Sequence, residues 1–154
     1  MKILLVEDSD DKREQIIDFV KKTIPNISIN FKISYQSGLE EIMENDYDFV
    51  ILDMSMPIYD RNDNNVKEHI HIFAGWDILD RMNQSMIETK VVVITQYDIF
   101  QGEHGFFTLE DLDRKFKDSY DNYLSAICFS QLNWKHELKD ILINMQNELK
   151  NYSN

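Results

Sequence analysis

One cysteine, Cys128, stands in 154 residues, so no internal disulfide can form, as expected of a chain in the reducing cytoplasm. Glycine and proline are scarce, at four and two residues, and no low-complexity linker or internal repeat breaks the chain. Gly102-Glu-His-Gly105 is too poor in glycine to cradle phosphate and reads as a turn. No apolar stretch approaches the length of a membrane span, and Met1-Lys2 followed by four apolar residues and then acids is not a signal peptide. Basic residues are outnumbered 16 to 28, giving a formal net charge of −12, with no basic cluster. Such a surface repels nucleic-acid phosphate and anionic lipid, so partners of neither class are expected. What is present is ordinary for a globular protein, with 43% hydrophobic and 29% charged residues. The length suits a single domain over residues 1–150, with 151–154 as a short tail.

Three apolar runs organise the chain. Ile3-Leu4-Leu5-Val6 ends on Glu7-Asp8, Phe49-Val50-Ile51-Leu52 ends on Asp53, and Val91-Val92-Val93-Ile94 ends on Thr95. Unbroken runs of this length suit parallel strands covered by helices on both faces. Ile27 to Tyr35 alternates apolar and polar residues, as a half-covered strand near an edge does, and Ala126 to Phe129 reads as a final short strand.

Helices alternate with these strands. Asp8 or Ser9 caps the first, whose acids Asp10 and Asp11 and bases Lys21 and Lys22 match the macrodipole. Its apolar positions Ile16, Val20 and Ile24 recur every four residues, and Pro25 stops it. Ser37 is expected to cap a second helix with Leu39, Ile42 and Met43 inward. Trp76, Ile78, Leu79 and Met82 mark a third, and Thr108 to Phe116 a fourth, with Thr108 and Asp111 in capping-box positions. The last helix carries a stripe of Trp134, Leu138, Ile141, Leu142, Met145 and Leu149, with Asn133 as its cap. Five β-α alternations predict an α/β fold, a doubly wound five-stranded parallel sheet with helices on both faces. Residues 58–73 and 97–107 are expected to be long loops on the edge where the acids lie, and loops of that length tend to be functional or mobile.

Strands pointing one way bring Glu7, Asp8, Asp53 and Thr95 to one sheet edge, where open α/β sheets place ligands. Two carboxylates about 5 Å apart at an effective dielectric of about 20 repel by roughly 3 kcal/mol, so three together need a counter-charge or protonation. Mg2+ takes oxygen ligands and keeps waters, leaving positions for a phosphoryl oxygen. With that charge neutralised, one carboxylate can attack phosphorus, and a strand-end hydroxyl can bond the oxygen that arrives.

ILLVEDSDD, FVILDMSMP and VVVIT resemble, in order, the three signature segments of bacterial response-regulator receiver domains of the CheY type, and the expected elements match from Lys2 to about Leu149. The resemblance implies a flavodoxin-like fold of strand order 2-1-3-4-5, with Asp53 as phosphoacceptor and Thr95 as switch hydroxyl. It implies Mg2+ held by Asp8, Asp53 and the backbone carbonyl of Ser55, with Glu7 assisting through a water. Pro57 matches the proline that shapes the loop after the phosphorylated strand. The phosphoryl donor it implies is a histidine kinase or histidine phosphotransfer protein. Five residues remain after Leu149, so no output domain is expected and the readout is expected to be contact with a downstream protein.

The chain also departs from that pattern. Receivers carry a lysine and then a proline at the end of the fifth strand, where this chain has Ser130 or, with a one-residue slip, Gln131, and no proline. Gln96 follows the switch hydroxyl where a small residue is usual, and Ile127 or Cys128 stands in place of the aromatic switch residue. The loop before Ala74-Gly75 is about a dozen residues longer than usual. Lys115, Lys117 and Lys135 sit in expected helices with no evident reach to the site. His69 and His71 after Glu68, together with His104, read as chance histidines of solvated loops. Two other functions stay open: a pseudo-receiver that binds partners without productive phosphorylation, and a haloacid-dehalogenase-like phosphatase using Asp8 of the segment Asp8-Ser9-Asp10. The receiver reading makes the chain a signalling domain rather than an enzyme.

Overall fold

A computed structural model describes residues 1–61 and 69–153. Its elements run β1 (Lys2–Val6), α1 (Asp10–Thr23), β2 (Ser28–Lys32), α2 (Tyr35–Glu44), β3 (Phe49–Leu52), β4 (Met56–Pro57) and β5 (Ile70–His71). There follow α3 (Ala74–Gln84), β6 (Lys90–Thr95), β7 (Ile99–Gly102), β8 (Gly105–Thr108), α4 (Leu109–Ser119), β9 (Tyr123–Cys128) and α5 (Trp134–Tyr152). Five strands form a parallel sheet in the order β2-β1-β3-β6-β9, which is the expected 2-1-3-4-5 winding.

Alternation along the strands divides the core. Ile3, Leu5, Phe49, Ile51, Val92 and Ile94 pack with Ile16 and Val20 of α1 and Leu138 and Leu142 of α5. Leu4, Val6, Val50, Leu52, Val91 and Val93 pack on the other face with Ile42 of α2, Leu79 of α3 and Phe116 of α4. Burial of every residue on both faces is why these strands read as unbroken apolar runs. At the sheet edge β2 is half covered, and Phe31 is 48% exposed.

Several boundaries differ from expectation. The second helix starts at Tyr35, capped by Ser34 rather than Ser37: the Ser34 backbone is extended and its Oγ accepts from the Ser37 N–H at 3.2 Å. Tyr35 therefore belongs to a helix, and β2 ends at Lys32. Met43 is exposed, and the inward stripe of α2 is Gly38, Leu39 and Ile42. The final strand begins at Tyr123, earlier than its polar Ser125 suggested. The capping box of Thr108 and Asp111 forms in both directions.

Antiparallel pairings occur at both expected loops, on the C-terminal edge of the sheet. Met56 and Pro57 pair antiparallel with His71 and Ile70, and β7 pairs antiparallel with β8. In the β7–β8 hairpin Glu103-His104 forms the turn, and Gly105 accepts a φ of 110° that a side chain would resist. Strand-forming Ile99-Phe100 and Phe106-Phe107 flank that turn, which is why it folds as a ribbon. Residues 62–68, Glu68 among them, lie outside the described residues.

Candidate functional site

Glu7, Asp8 and Asp53 converge as their strands dictate: one carboxylate oxygen from each lies within 4.8 Å of the others. They line a cavity of about 240 Å3 with Ser9, Lys12, Ser55, Met56, Ile70, Gln96 and Tyr97. Asp53 follows Ile51 by two residues and so faces the α1 side of the sheet. Its main chain is tied to β1 by an N–H donated to the Val6 carbonyl at 3.1 Å. Its Oδ1 accepts from the Met54 N–H at 2.7 Å.

Glu7 is almost fully buried, and both of its oxygens are engaged. Oε1 accepts from the Ser9 N–H at 3.0 Å, and Oε2 lies 2.5 Å from Lys12 Nζ. Burial, reinforced by the Asp53 charge, pushes the Glu7 carboxyl up to about 8 from 4.5, against the pull of Lys12. Burial, followed by the Asp53 charge, also raises the Asp8 carboxyl. Arg61 lies 3.8 Å from Asp8 Oδ2.

Lys12 is the residue that sequence reasoning missed. Its ammonium sits among the carboxylates, 2.5 Å from Glu7 Oε2 and 3.3 Å from Asp53 Oδ2, and donates to the Ile94 carbonyl at 2.7 Å. A signal for it was present: Lys12, Ile16 and Val20 form the buried stripe of α1, so a charge occupies a core position. By contrast, Lys117 pairs with Asp113, Lys115 lies over Trp76, and Lys135 lies over Phe19 and Trp134.

Thr95 ends β6 at the same edge and is fully buried, its Oγ1 accepting from the Tyr97 N–H at 3.5 Å. Gln96 and Tyr97, not Thr95, line the acidic cavity. Ser55 lines it too, while its Oγ donates to the Ile72 carbonyl at 2.6 Å, pinning β5 beside the site. Just past the end of β9 it is Phe129 that lies beside Lys12, with its ring centroid 5.8 Å from Nζ, whereas Gln131 lines a different cavity beside α4 and Ser130 bonds Cys128. This corrects the expected alignment of Ser130 or Gln131: Phe129 follows Ile127 by two residues and so shares its α1 face.

The histidines are not scattered as expected. His71 bonds Asp77 of α3, and His104 Nε2 approaches the other oxygen of the same carboxylate at 3.5 Å. His104 also stacks on Trp76 at 4.2 Å. One carboxylate thus ties both antiparallel pairs to the first turn of α3. His69 is exposed and His136 lies on α5 near Asp140.

No sequence profile of a known protein family matches the chain. It is 29% identical over 149 residues to "Uncharacterized protein y4jR" of Sinorhizobium fredii, spanning 94% of this chain and 99% of that protein. It is 23% identical over 143 residues to "Detocs response regulatory protein DtcB" of Enterobacter cloacae, spanning 90% and 95%. Among solved structures, the response regulator TrrA from Thermotoga maritima in complex with Mg(2+)-BeF superposes with a TM-score of 0.59 at 18% identity, covering 94% of this chain and 97% of that one. Among the described residues no helix is long and apolar enough to cross a membrane. With the sheet order, the helices on both faces and these likenesses in hand, the chain has the fold of response-regulator receiver domains.

Proposed function

We propose that the chain is a single-domain receiver over residues 1–150 that takes a phosphoryl group on Asp53 from a histidine kinase or phosphotransfer protein and signals through contact with a further protein. The observation that carries this reading is the convergence of Glu7, Asp8 and Asp53 at the C-terminal edge of a parallel sheet. The donor set suits Mg2+, a hard cation that prefers oxygen. Asp8 and Asp53, with the Ser55 carbonyl, would hold the ion, and Glu7, with both oxygens engaged, would assist through a water. When bound, the ion neutralises the carboxylates and draws charge from the phosphoryl oxygens.

In the transfer a carboxylate oxygen of Asp53 attacks phosphorus and forms the O–P bond. The P–N bond to the donor histidine breaks, and its electron pair returns to the imidazole, which takes up a proton. The acyl phosphate then offers oxygens to Thr95, whose hydroxyl oxygen accepts a long bond from the Tyr97 N–H at 3.5 Å. Moving that hydroxyl releases the Tyr97 N–H and rearranges the turn leading into β7, which biases a two-state surface. This is a signalling role in the cytoplasm rather than turnover of a substrate.

Intact-mass measurement after acetyl phosphate and Mg2+ tests the reading. The wild type should gain one phosphoryl group and Asp53→Ala none. An adduct that persists in the variant removes Asp53 from the mechanism. Hydrolysis of p-nitrophenyl phosphate that survives Asp53→Ala but not Asp8→Asn would establish the phosphatase reading instead, and failure of the wild type to take any phosphoryl group would leave an interaction module.

A further inference from the structure

We infer that Lys12 supplies, from α1, the ammonium that holds the phosphoryl group on Asp53. The inference rests on the Asp53 reading above and adds to it a group that the strand-5 pattern of receivers does not provide.

An ammonium this deeply buried, at 4% side-chain exposure, persists only where charged or polar acceptors surround it. Lys12 Nζ has three N–H donors and three acceptors: Glu7 Oε2 at 2.5 Å, the Ile94 carbonyl at 2.7 Å and Asp53 Oδ2 at 3.3 Å. Glu7 and the Ile94 carbonyl hold the group in place. The contact with Asp53 is the longest, so this donor is the one available to a phosphoryl oxygen bonded to Asp53. No β9 cation competes for the role: the strand Tyr123–Cys128 carries none, and the ring centroid of Phe129, which follows it, lies 5.8 Å from Nζ.

The same geometry couples the site to the sheet edge. Ile94 precedes Thr95, and one ammonium joins its carbonyl to Asp53. A dianionic phosphoryl group attracts the ammonium more strongly than the lone carboxylate does. Any movement of Nζ toward it loads the Ile94–Thr95 peptide, from which Gln96 and Tyr97 continue to β7. Lys12 thus both binds the group and reports its presence. It also bears on the metal: the ammonium lies against Glu7 and Asp53, so Lys12 and Mg2+ repel one another across shared carboxylates.

The test compares Lys12→Met, Lys12→Arg and the swap Lys12→Met/Phe129→Lys with the wild type, measuring affinity for Mg2+ alone and for beryllofluoride in saturating Mg2+. Lys12→Met should bind Mg2+ at least as tightly as the wild type but beryllofluoride roughly ten- to a hundredfold more weakly, as expected for loss of a charged hydrogen bond. Lys12→Arg and the swap, which returns the ammonium to the sheet, should each recover part of the loss. A purely structural Lys12 would weaken both ligands together and gain nothing from the swap; either result overturns the inference. Unchanged beryllofluoride affinity in Lys12→Met also overturns it while leaving Asp53 phosphorylation standing, whereas a wild type that takes neither beryllofluoride nor acetyl phosphate defeats both. Should Lys12→Met not fold, lysine Nζ spectroscopy of the wild type decides. Lys12 is the one buried lysine among the described residues, so its ammonium exchanges slowly. That resonance must shift on adding beryllofluoride, and a stationary one overturns the inference.

Discussion

Replacing Gly75 by alanine sets two effects of known sign against each other. In a helix, alanine is favoured over glycine by about 0.5–1 kcal/mol. Gly75 lies in the first turn of α3, and its N–H donates to the Met54 carbonyl at 2.9 Å. A Cβ there would stand 2.6 Å from the Asp53 carbonyl oxygen and 3.1 Å from Met54 Cα. Ordinary contact begins at 3.4 Å, so the gap is short by about 0.8 Å against backbone, which has no rotamer to escape into. Over-packing of this kind costs about 1–3 kcal/mol. The clash should win, leaving Gly75→Ala less stable by roughly 1–2 kcal/mol, with each kcal/mol lowering Tm by about 2–4 °C at this size. Urea unfolding followed by tryptophan fluorescence measures it, with Trp76 one residue away. A variant as stable as the wild type, or more so, would show that helix propensity decides and that α3 does not press on the Asp53–Met54 peptide. The displaced peptide carries Asp53, so the variant should also bind beryllofluoride more weakly.

Three further outcomes follow from the same contacts. With its folded value near 8 against 4.5 unfolded, Glu7 holds a proton in the folded state that the unfolded chain releases, so its contribution is full below about pH 4.5 and is lost as pH rises towards 8. Without metal, the stability of wild type relative to Glu7→Gln should therefore fall by a few kcal/mol over that window, and a flat difference contradicts the assignment. Mg2+ at a hundred times its Kd should stabilise the wild type by about 2.7 kcal/mol and raise its Tm, and an equal rise in Asp8→Asn would place the ion elsewhere. Tyr120 donates to Asp80 and accepts from Trp76 Nε1 at 3.1 Å, so Tyr120→Phe should cost about 1–3 kcal/mol in urea unfolding; no loss would mean that water replaces both bonds.

The sequence alone determined the winding and the acidic edge. Strands buried on both faces must be apolar at every residue, and a parallel sheet brings the residues after Val6, Leu52 and Ile94 to one side whatever the loops do. The capping box at Thr108 was equally legible, because capping is a contact between residues three apart. The tertiary structure alone decided which groups enter the site. Lys12 falls in sequence on the stripe of Ile16 and Val20, which marks it as inward, but only packing of α1 against β6 places its ammonium beside Asp53. Phe129, not Ser130, lies beside Lys12 because side chains alternate between the faces of β9, and the parity depends on where the strand begins. His71 and His104 meet Asp77 from antiparallel pairs far apart in the chain. Periodicity and capping are local and can be read along the chain, whereas the partner of a buried charge is fixed by which surfaces the fold brings together.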